Sequence, residues 1–472
     1  MRICRTTTCT TSPRCSMATL QAETARRSDH AVVIGGSVTG CLTAAVLARR
    51  FKRVTVVEKS DFYDETGPRQ SIPQEHHVHL LLLRGKQIME RIFPGLLSAL
   101  EHSGAQVADL GHDVKWYQRG HWKNRYRSGI EAHYCSRRLI DNQLRRCLTT
   151  VPQVTVLSGT RVTRMELAGA EDSPQVRGVV IDDGSGERSL SCDLLIDASG
   201  RGTHMPAWLK EAGLGVVQNS VVKTELGYAS RIYKRLPAFA AQWQVLLVLP
   251  TAPTQRSMGV ISPIEGNRWM VTTGGWFGNF PGKDPDQFLQ ALASLPVPDI
   301  HDVIRQAEPL SEVFTFKMPG SRRTHYDRLE RWPEGLLVVG DALSSMNPLY
   351  SQGMTIGALE ADCLDNHLDA LLDRSLGCQT LQGSLCAVVD GAWNMATTED
   401  FRFPETSGER TWRTRFDHWY GAGLGELSAN NRRALETQIG VTNLVVEPSR
   451  LYAPAIVSRI ALNALLPRTT RP

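Results

Sequence analysis

Ordered patterning in the chain begins near His30. Ala31-Val-Val-Ile-Gly35 is a short apolar run closed by glycines, which predicts a buried strand. Thr43–Phe51 mixes small apolar and basic residues at helical spacing, and the β-branched run Arg53–Lys59 predicts a second strand. Strand, helix and strand within about thirty residues predict a right-handed crossover between parallel strands. Residues 60–100 open as a loop containing Pro68 and Pro73, become helical near Gly85–Phe93 and stop at Phe93-Pro94-Gly95. Arg137–Cys147 predicts a helix with its basic residues outward. Val154–Leu157, Val176–Ile181 and Asp193–Asp197 predict strands. The period then changes. VKTELGYASRIYK, QVLLVLP, SMGVISPI and RWMVTTGGW, all within residues 206–325, alternate as antiparallel strands do. Leu336–Val339 is again fully apolar, and residues 385–472 are mainly helical in pattern, with no internal repeat.

This order predicts an α/β fold. A Rossmann-like dinucleotide domain is assembled from separated segments (29–110, 130–205 and 328–375). An antiparallel β-sheet substrate domain (111–129 and 206–327) is inserted in it, and a helical C-terminal region (385–472) follows. Residues 1–28 are expected to be a disordered tail, rich in Thr, Ser and Arg and without the apolar core of a secretory signal; Met17 is an alternative start.

Composition narrows the class. With 472 residues, 42% hydrophobic and 21% charged, the chain is globular, neither disordered nor fibrous. It contains no run of 18 apolar residues, so no membrane span is predicted. The net charge of +5 sits mostly in the tail, where Arg2, Arg5, Arg14, Arg26 and Arg27 face Glu23 alone. The nearly neutral body argues against a nucleic-acid partner. Ten cysteines are scattered without CxxC or zinc-ligand spacing, which predicts reduced thiols, a cytoplasmic location and no bound metal.

Three loops carry candidate chemistry. In Gly35-Gly36-Ser37-Val38-Thr39-Gly40, Gly35 suits a tight turn and Gly40 a close helix–strand approach. Ser37 stands where a dinucleotide fingerprint prefers its second glycine. The helix N-terminus offers N–H groups to a pyrophosphate, and Glu58, ending the next strand, suits a ribose hydroxyl. In Asp193–Gly202, an apolar strand runs into Asp197-Ala-Ser-Gly200-Arg-Gly202. In the third, a buried strand delivers Gly340 and Asp341 to a loop, followed by Asn347-Pro348 and Gln352-Gly353-Met354. Asp341 suits a chain of hydroxyls, Pro348 a rigid edge and Gly353 a helix start that stabilises negative charge on a nearby ring.

Together these motifs resemble the single-component FAD-dependent monooxygenases of the aromatic-hydroxylase type, over roughly residues 30–465. The resemblance implies an FAD-binding domain, with the pyrophosphate on Gly35, Gly36, Ser37 and Gly40 and the adenosine ribose on Glu58. It puts the ribityl chain on Gly340 and Asp341, and Pro348, Gly353 and Met354 at the isoalloxazine as the catalytic surroundings. Arg137, in Cys135-Ser-Arg-Arg-Leu139, matches a family arginine that contacts the cofactor. NAD(P)H would act as a transient reductant, and O₂ would react to give a flavin C4a-hydroperoxide. A closer resemblance is to the bacterial polyether epoxidases of monensin and lasalocid assembly. It rests on PQEHHVHLLLLRG (73–85), FPG (93–95), YASR (228–231), RWPEGLLVVGDALSSMNPLYSQGM (331–354) and VVDGAWNMATTEDFRFP (388–404). It implies epoxidation of an alkene in a hydrophobic polyketide- or terpenoid-type metabolite.

Aromatic hydroxylation and flavin-supported, non-redox cyclisation stand as alternatives. The family's usual Gly-Ala-Asp-Gly reads Asp197-Ala-Ser-Gly200 here. No base is evident near the flavin motifs, which leans towards an alkene. His77 and His79 would share a face with His76 turned away, and Tyr228 and Arg231 would face opposite sides of a strand. Trp269, Trp276 and Phe280 are expected between domains or on the substrate cavity. Trp276–Pro281 is similar to the WxWxIP stretch of flavin-dependent halogenases but lacks its second tryptophan.

Overall fold

Three neighbouring strands explain why loops so far apart in sequence meet. In the computed structural model, which describes residues 28–63, 73–170, 172–237, 239 and 241–465, a five-stranded sheet runs Leu336–Val338, Leu194–Asp197, Ser28–Ile34, Phe51–Glu58, Val154–Ser158. All its pairings are parallel. Ile34 lies opposite Asp197, and Asp197 opposite Val338. Each of the three candidate loops therefore leaves the same edge of the sheet, at the carboxyl ends of adjacent strands, where open α/β sheets bind ligands. Ala31, Val32 and Val33 are fully buried, as expected for a strand covered on both faces.

An eight-stranded sheet follows the order Ser344–Ser345, Phe314–Thr324, Asn219–Lys234, Arg268–Gly275, Ser257–Ile264, Val245–Val248, Val114–Gln118, His121–Trp122. Val114–Gln118 joins it parallel to Val245–Val248, so the excursion at 111–129 meets the later block. At the other edge Ser344 and Ser345 pair with Arg323 and Arg322, tying the loop after Asp341 to this sheet. Two small antiparallel sheets, one of three strands and one of two, accompany these, and the helices Cys378–Asp400, Trp412–Asn430, Arg432–Thr442 and Pro454–Leu465 form the C-terminal region.

Several boundaries differ from expectation. The first helix spans Val38–Leu47, and Phe51 opens the next strand, fully buried opposite Ser28. Strands Arg161–Ala168 and Glu187–Ser191 escaped prediction because most of their side chains are exposed or half-exposed, so no apolar alternation marks them. The helix expected from 385 begins at Cys378. The tail, Met17 and Pro68 lie outside the described residues. Among the described residues no helix is long and apolar enough to cross a membrane.

Candidate active site

Gly35 adopts φ +98°, and a Cβ there would lie 2.5 Å from the Ala198 carbonyl oxygen. A Cβ on Gly40 would lie 1.9 Å from the Gly35 carbonyl oxygen. Both glycines are thus demanded by close backbone approach. The Gly36 N–H donates to Glu58 Oε2 at 2.7 Å, and the Ser60 N–H to Oε1 at 2.9 Å. Those bonds orient Glu58 and leave further lone pairs.

Arg137 is drawn in from another segment. Ser136 caps its helix, accepting from the Leu139 N–H at 3.1 Å and donating to Glu265 at 2.7 Å. The Arg137 side chain is buried, donating from Nη2 to Ser37 Oγ at 3.0 Å and from Nε to Asp141 at 3.1 Å. Ser37 therefore presents a guanidinium where a glycine would present bare backbone. Two turns further on, Arg145 donates to the Gly36 carbonyl at 3.2 Å and the Phe62 carbonyl at 3.0 Å and covers the Phe62 ring. The expected outward turn of this helix's basic residues is thereby corrected: Arg137 and Arg145, eight apart and so on one helix face, are both buried.

At the second loop Asp197 is buried and turned inward, accepting from the Ser199 N–H at 2.9 Å and from the Thr203 hydroxyl. Burial pushes its carboxyl up, against those bonds. Around Gly200 and Gly202 a Cβ would meet nothing within 4 Å, so this rim is open.

At the third loop Asp341 is half-buried. Desolvation pushes its carboxyl up, and Arg137, Arg201 and Arg322 pull against that. A Cβ on Gly353 would meet only Asp341 Oδ1, at 3.9 Å. Met354 is buried at the start of helix Gly353–Leu372. Gly340 touches Thr39 of the first loop and donates its N–H to buried Glu360 at 2.6 Å. Burial, offset in part by that bond, raises Glu360 to about 8.

This carries a pH prediction. Glu360 holds its proton up to about pH 8 in the fold, but only to about 4.5 when unfolded. The folded state binds more protons in that window, so wild-type stability falls as pH rises through it. Glu360→Gln keeps an acceptor for Gly340 and removes the titration. Its stability relative to wild type should grow by roughly 3 kcal/mol between pH 5 and pH 8 and then level off, read by urea unfolding. A pH-independent difference would show that Glu360 is charged in the fold.

The three loops thus bound one cleft with an open glycine rim, a carboxylate at two corners and Arg137 between. These residues fit a dinucleotide carrying a pyrophosphate and a polyhydroxyl chain.

Beside the cleft lies a cavity of about 1330 Å³. Pro348–Gln352 form one wall, and Val114, Trp116, Val245, Leu247, Met258 and Val260 of the large sheet supply an apolar one. His77 and His79 both line it, while His76 turns away and stacks on Phe314 at 4.0 Å. Burial lowers His77 to about 3, so the ring is neutral. Its Nδ1 bonds Ser230 at 2.7 Å, and its Nε2 has no partner. Tyr228 packs edge-on against His77, while Arg231 faces away to the Ser311 carbonyl. Trp276 lines the cavity, Trp269 is core and Phe280 covers Gly227.

One expectation is corrected. A titratable carboxyl does stand beside the third loop. Asp400, ending helix Cys378–Asp400, accepts through Oδ1 from Asn347 at 2.8 Å, Tyr350 at 3.0 Å and Trp276 at 3.4 Å. Its Oδ2 has no partner, and burial raises it to about 7 against the three bonds. It is fully buried behind the wall, and Tyr350 and Trp276, which both line the cavity, stand between it and that space. The donors that bury it come from segments 50 to 124 positions away.

Fold and site together define a flavin-binding oxidoreductase. Residues 29–375 match the FAD binding domain family, and the chain belongs to it, as an FAD-dependent monooxygenase. It is similar to protein Rv3254 of Mycobacterium tuberculosis, 31% identical over 84% of this chain and 86% of that one. It also resembles the 6-methylpretetramide 4-monooxygenase of Streptomyces rimosus, 24% identical over 70% and 72%. Among solved structures, the flavin-dependent brominase Bmp2 shares the fold, with TM-score 0.65 and 16% identity over 92% of this chain and 98% of that one.

Proposed function

We propose that this enzyme epoxidises an alkene of a large hydrophobic polyketide- or terpenoid-type metabolite, using O₂ and NAD(P)H. The observation that carries this reading is the cavity. At about 1330 Å³ with an apolar sheet wall, it exceeds the few hundred cubic ångströms that a single phenolic ring needs. The stretches that resemble those of the polyether epoxidases lean the same way.

FAD would lie across the three loops and supply the activation of O₂. Arg137 and the Ser37–Gly40 end of the first loop would hold its pyrophosphate, the Gly35 and Gly36 amides being taken by Val57 and Glu58, with Glu58 at its ribose and Asp341 at its ribityl chain. Pro348, Gly353 and Met354 would face the ring. The apolar wall excludes water, which an oxygen-transfer site requires, and neutral His77 adds one hydrogen-bonding atom without a charge. Asp400, screened from the cavity by Tyr350 and Trp276, is placed to stiffen the 347–350 turn rather than to deprotonate a substrate.

The test is oxygen-isotope incorporation from ¹⁸O₂ with NAD(P)H, offering the reconstituted holoenzyme a neutral long-chain polyene ester beside a phenol. Labelled epoxide from the polyene is expected. Labelled catechol from the phenol alone would establish aromatic hydroxylation instead.

A further inference from the structure

Arg119 stands where a side chain is costly. It and Gly120 form the two-residue turn between Gln118 and His121, with φ of +54° and +79°. Such turns favour Asn-Gly, and an arginine held left-handed is a strained choice. Its side chain lies along helix Trp412–Asn430. A Cβ on Gly425 would come 2.7 Å from Arg119 Cδ and 2.9 Å from Nε. One turn earlier, a Cβ on Gly421 would come 2.5 Å from Arg402 Nη2. Two glycines on consecutive turns thus make room for two guanidinium groups, and both arginines line the cavity.

Of the three arginines on the wall, two have a carboxylate partner and Arg119 has none among the described residues. Arg402 is paired, donating to Glu399 at 2.8 Å and to the His418 carbonyl at 3.0 Å. Burial opposes ionisation of Glu399, yet Arg402, with Arg119 behind it, holds its carboxyl below the ordinary range. Arg119 makes no ion pair or hydrogen bond among the described residues. The fields of Glu399 and Glu426 reach it only partly against that of Arg402. Arg413 lies 4.0 Å from Asp417, and Glu409, the remaining acid on the wall, is exposed to solvent and screened. Arg119 is left as a half-buried positive charge on the cavity wall with no ion-pair partner of its own among the described residues. A single charge on a planar fork matches a carboxylate better than a dianionic phosphate.

We propose that Arg119, flanked by Arg402, binds the terminal carboxylate of the long apolar substrate and so sets which carbon lies beside Pro348–Gln352. This rests on the reading that the cavity holds a large hydrophobic molecule.

The test compares binding of α-linolenic acid and its methyl ester to the FAD-loaded enzyme, by tryptophan fluorescence quenching. The wild type should bind the acid about tenfold or more tighter than the ester. Arg119→Asn creates the Asn-Gly pair the turn favours. It should hold or raise the melting temperature while reducing acid affinity to that of the ester, with ester affinity unchanged. Gly425→Val keeps the guanidinium but displaces it, and should lose the same preference. The inference is overturned by equal wild-type affinity for acid and ester, by binding of neither, by acid affinity that survives both substitutions, or by equal loss of acid and ester. The epoxidation reading is judged separately, by ¹⁸O incorporation into the neutral ester.

Discussion

Gly35→Ala should lose FAD by about a hundredfold or more in affinity, while the chain still folds. Two costs combine. An L-residue at φ +98° sits in the left-handed region at roughly 1–2 kcal/mol. The new methyl would also lie 2.5 Å from the Ala198 carbonyl oxygen. Relief requires the first loop to move away from the second. The parallel strands beneath, paired at Ile34 and Asp197, resist that movement. The sum is about 3 kcal/mol, which the cofactor site must absorb because it is the less constrained side of the loop. Gly200→Ala is the control. Its φ is +85°, but its Cβ would meet nothing within 4 Å, so only the backbone cost applies. Titrating apoprotein by quenching of FAD fluorescence separates the two. Normal FAD affinity in Gly35→Ala would move the cofactor elsewhere. Asp341→Ala should also weaken FAD, through loss of the acceptor rather than strain.

Asp400→Ala should destabilise the protein by about 3 kcal/mol or more, the largest effect expected outside the cofactor loops. It strips the acceptor from three buried donors at once, on Asn347, Tyr350 and Trp276. Asp400→Asn retains an acceptor at that position and should cost far less. The pair also differ from wild type in pH response. Asp400 stays protonated in the fold to about pH 7, against 3.8 when unfolded, so the folded wild type binds the extra proton in that window. Its contribution to stability therefore declines as pH rises from about 4 to 7, and neither variant shows that decline. Thermal melts of the three proteins across the window provide the check. Equal melting of Asp400→Ala and wild type would remove Asp400 as the hub of the 347–350 turn.

Much of the nucleotide cleft was legible because local rules operate there. An apolar strand ending in Gly35, a helix starting at Val38 and an acid at Glu58 are short-range patterns, and strand periodicity marked the antiparallel block equally well. Residues whose surroundings come from elsewhere were less legible. The basic residues of the 137–147 helix were expected outward and Glu360 and Asp400 drew no notice, yet Arg145, Glu360 and Asp400 are all buried. A carboxyl can be buried only where donors converge on it, and those donors lie far along the chain.

The chain alone thus determined many of the strands and helices, among them the buried strands at whose ends the three glycine-bearing loops lie. Backbone conformation and the periodic placing of apolar side chains on one face are set by neighbours a few positions away. Only the tertiary structure decided the strand order that brings those loops together, the size of the apolar chamber and the charges left facing it. Those follow from pairing between distant segments, which sets how much water each ionisable group retains.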